Sequence, residues 1–393
     1  MSALHAKLRR DLRRLAAQVF TIAAVMACGV AALVAMRSAY DSLRASGDEW
    51  YARARFADLF THVHRAPRSV AQRIAAVPGV AAMEVRVTEE VTLDMPGMAE
   101  PAHAHVVGIP PDLSRTLGEV YLRSGRLPDP GHPEEALVHE LFAKAWGLAP
   151  GDTLTAVLHG RRQRLRVSGV ALSPEFVTVV QPGAIVFDDR RYGVLWMGAA
   201  SLEAAFQMEG AFNDVQLRVA RGHRLAAVSA EVDRILAPYG TTGVYGRDRH
   251  PSARWVEQKL AGLRSQSRVT PLLFLAVAAM LVNLVLGRLL GLEREQIATL
   301  KALGYDDGAI ARHYLAHAAV TGILGAALGV ALGAWAGRGI IGVYADYFRF
   351  PSLTFRPSRE TLLVAVAASV VAAITGAVQA VRKAVRVPPA EAM

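Results

Sequence analysis

The chain has 393 residues, 52% hydrophobic and 20% charged, with a net charge of +10 carried mostly by arginine, since lysine stands at only five positions. So many apolar residues, gathered into a few windows, exclude one soluble globule, and a basic excess without any recognition motif argues against nucleic acid as a partner. Cys28 is the sole cysteine, so no internal disulfide can form and every part of the fold must hold by packing.

In chain order, a basic cytoplasmic N-terminus (residues 1–14, with Lys7–Arg14 reading KLRRDLRR) leads into a first predicted span at 15–36. Leu15–Met36 is apolar except for Gln18 and Thr21 and would be about 33 Å long as a helix, enough for the hydrocarbon core. It is too long for the apolar region of a cleaved leader. Residues 37–268 then form one large external α+β domain with two lobes. RSVAQRIAAVPGV (68–80) places Val70, Ile74 and Val77 at helical spacing, and MEVRVTEEVTL (83–93) alternates as a strand. A second helix-then-strand unit follows later, with Leu225, Val228, Val232, Ile235 and Leu236 on one face and TTGVYG (241–246) after it, so one lobe is expected from both ends of the insertion. Between them a β-hairpin turning at His159 and Gly160, and a strand at Asp214–Ala220, read as a strand-rich second lobe.

The second span is expected at 269–291, with Asn283 inside it as a helix-pairing residue. A cytoplasmic segment, 292–313, comes next. In it Ile297, Leu300 and Leu303 form a narrow apolar stripe, Glu293, Arg294, Glu295 and Lys301 a polar shoulder, and Gly304 a C-cap before Asp306 and Asp307 open another helix. Mixed charge argues for a protein partner rather than a lipid surface. The third span, 314–337, carries Gly325, Gly329, Gly333 and Gly337 four apart, a groove that lets another helix approach closely. An external loop (338–360), a fourth span (361–381) and a basic cytoplasmic C-terminus (382–393) complete the chain. The fold class is thus an α-helical membrane protein with four transmembrane helices and an extracytoplasmic α+β domain inserted between the first two. Basic residues flanking the spans orient the N-terminus to the cytoplasm and meet anionic membrane lipid.

These parts together resemble the permease subunits of the MacB and FtsX type in ABC transporters, most closely the first half of tandem eight-span members. Glu295, Ile297, Leu300, Lys301, Ala302, Leu303 and Gly304 match the family's cytoplasmic motif, with Gln296 inserted in the reading; PPAEAM (388–393) matches its C-terminus, and LFAKAWGLAPGDTLTA with LRVSGVALSPEF is similar to its core domain. Tyr305 and His317 depart from the usual small residue and glutamate. The resemblance implies that Glu295, Ile297, Leu300, Lys301, Leu303 and Gly304 couple to a cytoplasmic ABC ATPase dimer. It implies a homodimer or a second permease subunit, a bacterial inner-membrane location and a periplasmic partner. The function implied is export or extraction of a lipid, lipoprotein, peptide or drug-like substrate; the alternative is an FtsX-like scaffold that activates a periplasmic partner without transport.

The chain is not expected to be an enzyme. It lacks the Gly-Lys dipeptide of a phosphate-binding loop, so ATP and Mg belong to the partner, and it needs no cofactor of its own. The pairs His62/His64 and His103/His105, and His313/His317, lack the companions of a metal site, so no metal is expected.

Overall fold

The computed structural model describes residue 10 and residues 16–113, 116–179, 181 and 188–385. The sequence motifs at 7–14, apart from Arg10, and at 388–393 lie outside these. The described chain divides into two compact units: one takes residues up to Ala45, Lys259–Ala345 and from Leu353 on, the other Ser46–Gln258 and Asp346–Ser352.

The first unit is helical. Among the described residues four helices are long and apolar enough to cross a membrane: α1 (Ala16–Arg53), α6 (Pro251–Leu292), α8 (Asp307–Tyr347) and α9 (Arg359–Val385). The short α7 (Arg294–Ala302) lies between α6 and α8 in sequence. All four outrun the expected spans, α9 the least. At 42 residues α6 is about 63 Å long, roughly twice the hydrocarbon thickness, and α1 continues 17 residues past Met36 with charged residues on its outer turns. Hydropathy marks only the lipid-facing part of a helix, so polar extensions of the same helix read as domain. Ile22, Met26, Ala278, Val282, Leu286, Ile310, Tyr314, Ala373, Ala377 and Val381 form the apolar centre of this bundle.

The second unit has two lobes. In the first, β1 (Leu59–Pro67), β2 (Val80–Arg86), β10 (Ala211–Val219) and β11 (Tyr245–Gly246) form an antiparallel sheet in the order β11-β1-β10-β2. Helices α2 (Arg68–Ala75) and α5 (Leu225–Leu236) bury Val70, Ile74, Val228, Val232 and Leu236 against Leu59, Val63, Val215 and Leu217 of one sheet face. The lobe takes β1 and β2 from the start of the unit and β10 and β11 from its end. However, β10, expected in the middle lobe, is its second central strand.

The second lobe is a mixed sheet of β3 (Thr88–Asp94), β4 (Ala102–Ile109), β5 (Tyr121–Gly125), β6 (Glu135–His139), β7 (Thr153–Leu158), β8 (Arg161–Leu172) and β9 (Tyr192–Gly198), in the order β5-β8-β6-β9-β4-β3-β7. β8 also pairs with β7 from Leu158↔Arg161 to Thr153↔Arg166, which closes the sheet on itself. The β7–β8 turn has positive φ at both His159 (47°) and Gly160 (77°), the backbone that suits a two-residue hairpin. Helices α3 (Glu140–Trp146) and α4 (Ala199–Ala205) complete the core, with Phe142 seated over Gly193, where an added Cβ would lie 2.7 Å from the ring. The single strand expected at 83–93 is two strands, β2 and β3, one in each lobe. Val87 is the point where the chain changes sheets, and alternation continues across it.

Candidate coupling site, helix groove and interlobe joint

The segment expected to couple to a partner is a helix, a tight turn and a helix. Glu293 precedes α7; its buried carboxylate accepts a 2.7 Å hydrogen bond from the Tyr314 hydroxyl on α8. Ile297 is buried in the bundle core, Ala298 is buried beside it in sequence, and Leu300 and Tyr305 pack at the core's edge. The α7 stripe predicted to meet a partner therefore faces inward over most of its length. The outward surface carries Glu295 together with Leu303, which is 72% exposed, and Leu292 just before the helix is 78% exposed. Lys301 pairs with Asp307 at 2.9 Å across the turn. Gly304 ends the helix at φ +90°, where any side chain would be strained. The Tyr305 N–H donates to the Leu300 carbonyl at 3.1 Å, and the Asp306 carboxylate receives the Ala309 N–H at 3.2 Å, capping α8.

The four predicted groove glycines of α8 all meet α1, Gly337 with Phe355 as well. An added Cβ at Gly325 would lie 2.7 Å from Met26 Cβ and 3.0 Å from the Ala23 carbonyl; at Gly329, 2.5 Å from Val30 Cβ and 2.8 Å from the Ala27 carbonyl; at Gly333, 2.8 Å from the Ala31 carbonyl. At Gly337 it would run into the Phe355 ring. The complementary surface was missed: Ala23, Ala27, Ala31 and Ala35 on α1 repeat with the same spacing, a small-residue face that the uniformly apolar window conceals. Gly322 approaches Ala373 and the Ser369 carbonyl of α9, and Gly376 of α9 meets the Ala279 backbone of α6. Asn283 is half-buried, with no side-chain hydrogen bond among the described residues. His313 and His317 are both buried, and His317 lines a narrow crevice with Gln18, Ile22, Val282, Leu286 and Thr321.

Sequence reasoning also missed the joint between the two lobes of the second unit. Arg86, at the end of β2, donates two hydrogen bonds to Glu175 of the second lobe (2.9 and 2.5 Å) and one to Asp214 of β10 (2.7 Å). Gln216 donates to Glu175 at 2.6 Å, and the Glu84 carboxylate takes the Leu117 N–H at 2.5 Å. Burial disfavours the charged Arg86, yet Glu175 and Asp214 outweigh it and hold the guanidinium well above its ordinary pKa. Burial likewise pushes the Glu84 carboxyl up, against the pull of Arg86. His105, from one of the two external histidine pairs, bonds Glu90 at 2.9 Å, and Glu90 also accepts from Tyr192 at 2.8 Å.

Two buried histidines give this unit a pH dependence. His250 sits against Phe56 and Phe60, and His139 lies near Trp196; burial lowers both to about 4, with Glu175 and Asp214 opposing at His250 and Glu140 at His139. Between pH 6.5 and 4 the unfolded chain binds these protons and the folded one does not. Stability is therefore expected to fall with acidification across that window, by up to about 1.4 kcal/mol per pH unit for each histidine, partly offset by Glu84. Thermal unfolding of the intact protein at pH 7, 6, 5 and 4, compared with His250→Phe, checks this. The substitution should flatten the slope.

A bundle of helices long and apolar enough to cross a membrane is joined in one chain to a two-lobed α+β unit. Residues 19–235 match the model of the MacB-like periplasmic core domain, and residues 268–389 that of the FtsX-like permease C-terminal region. The chain belongs to this family; it is a membrane protein with an extracytoplasmic domain, and permeases of the family work with ABC ATPase partners. Among solved structures it is similar to the extracellular domain of the noncanonic ABC-type transporter YknZ from Gram-positive bacteria, at 13% identity and TM-score 0.32, covering 48% of this chain and 99% of that one. It is also similar to the periplasmic region of MacB from Actinobacillus actinomycetemcomitans, at 11% identity and TM-score 0.33, covering 53% and 95%. No curated protein matches significantly.

Proposed function

We propose that this chain is the permease subunit of an ABC transporter in the bacterial inner membrane, passing the closure of a separate ATPase dimer to its external domain. The observation that carries this reading is the placement of α7: its root is fixed to α8 by Glu293 and Tyr314, while Glu295 and Leu303 remain outward. A surface helix held this way moves α8 when it is pushed. The chain contributes no catalytic centre, and ATP and Mg act in the partner. It works with a second copy or a second permease. The external domain handles a lipid, lipoprotein, peptide or drug-like substrate at the membrane surface.

The outward face makes a distinction that the motif alone does not. Leu303→Asp is expected to lower co-purification with the ATPase at least tenfold, about 1.4 kcal/mol, with thermal stability unchanged. Leu300→Asp should lower stability as well, because it places a charge against the bundle core. Normal ATPase retention by Leu303→Asp would remove the docking assignment. If ATP turnover by the reconstituted complex activates a periplasmic enzyme without moving any cargo, the signalling alternative takes its place.

A further inference from the structure

The chain passes between its two units at four points, 45/46, 258/259, 345/346 and 352/353. The first two are the continuous helices α1 and α6. The other two bracket a seven-residue excursion, Asp346–Ser352, that leaves the end of α8, packs wholly within the external unit and returns toward α9.

The excursion is seated by side chains and by backbone. Phe348 and Phe350 are 1% and 4% exposed. The Phe348 ring lies 5.1 Å from that of Trp255, in the first turns of α6, and the Phe350 ring meets Trp50, near the end of α1, edge-on at 5.5 Å. Gly47 leaves room for Phe350: a Cβ there would sit 3.3 Å from its Cζ. From β5, Arg123 donates to the carbonyls of Phe350 (3.1 Å) and Pro351 (3.3 Å), with its own Nε 3.5 Å from Glu140. The charge of Arg349 acts on Glu140 and Asp189. Two tryptophans on different helices and an arginine from the closed sheet thus converge on seven residues. A loop that merely spans two membrane helices needs none of these contacts.

We propose that residues 346–352 are a clasp that fastens α8 and α9 to the external unit at the roots of α1 and α6, so that displacement of α8 and α9 reaches Trp50 and Trp255 through Phe350 and Phe348 as well as along the two continuous helices. This deepens the permease reading by naming a third route for the motion, but the contacts themselves are tested in the intact chain without any ATPase.

Hydrogen exchange of the full-length protein in lipid nanodiscs reads the clasp. In the wild type, amides at 346–352 should exchange on the order of a hundredfold slower than unprotected chain. Phe348→Ala with Phe350→Ala should remove that protection and speed exchange at 46–53 and 251–258 by about tenfold, leaving β4 and β9 unchanged. Arg123→Ala, which spares both aromatic seats, should give a smaller rise at 346–352 and serves if the double variant does not fold. To test transmission, Gly322→Leu disturbs α8 against α9; it should raise exchange at 46–53 and 251–258, and a flexible Gly-Ser insert on each side of 346–352 should abolish that rise. Unprotected wild-type amides, or an equal rise with the inserts present, overturns the proposal. Loss of the ATPase docking face would leave these readings unaltered, so the two ideas fail separately.

Discussion

Arg86→Met should be among the most damaging single substitutions in the external unit, costing about 3 to 5 kcal/mol. The guanidinium is enclosed, and its removal leaves Glu175 buried with, among the described residues, only the Gln216 amide for its carboxylate and takes from Asp214 a charged partner. Methionine fills the space but offers no donor. Because Arg86 and Asp214 come from the four-stranded lobe and Glu175 from the other, the loss falls on the joint rather than on either apolar core. For a unit of this size the cost corresponds to a melting shift on the order of 10 °C. Adding Glu175→Leu to Arg86→Met should recover at least about 1 kcal/mol, since the stranded charge is then gone. Thermal unfolding of the single and double variants in one detergent checks both. A double variant no better than the single one would show that the pair is not the origin of the effect.

Gly329→Leu should be comparably severe in the bundle, at about 3 kcal/mol. Even one added carbon at Gly329 falls 2.5 Å from Val30 Cβ and 2.8 Å from the Ala27 carbonyl, so backbone, not a flexible side chain, must yield. In lipid no hydrophobic force rejoins helices pushed apart, and close packing is what holds them. Gly339→Ala is the internal control: nothing lies within 4 Å of its added carbon, on the same helix, and a small gain of up to about 1 kcal/mol is expected there from helix propensity. Denaturant unfolding of both variants, with a cysteine crosslink between α1 and α8 as a proximity readout, decides it. Equal stability of the two would dissolve the groove.

What the sequence made legible follows from how local each signal is. The spans, the α8 glycines and the hairpin at His159 and Gly160 are carried by residues within a turn or two of one another, so period and composition expose them. The Arg86 joint has partners 89 and 128 residues away, and no local pattern distinguishes this buried arginine from the exposed ones. Val87 could not be recognised as a change of sheet because the chain alternates evenly on both sides. Within the coupling motif, the residue types gave the helix and the Gly304 turn, but which face meets the bundle depends on Ile310, Tyr314 and Val381. That is why Leu300 and Leu303, equivalent as letters, end in different surroundings. The segment 346–352 read as an ordinary loop because its two phenylalanines are buried by tryptophans about 90 and 300 residues upstream.

The pairing of β7 with β8 also limits how other molecules can recognise the external unit. A strand with both neighbours in place offers no row of free amides, so a peptide cannot extend that sheet by lying alongside β7. Among the described residues the five-residue β5 pairs only with β8, and Arg123 on that strand holds the backbone of Phe350 and Pro351 through its side chain. By its pairing with β8, β7 itself is withdrawn from strand addition.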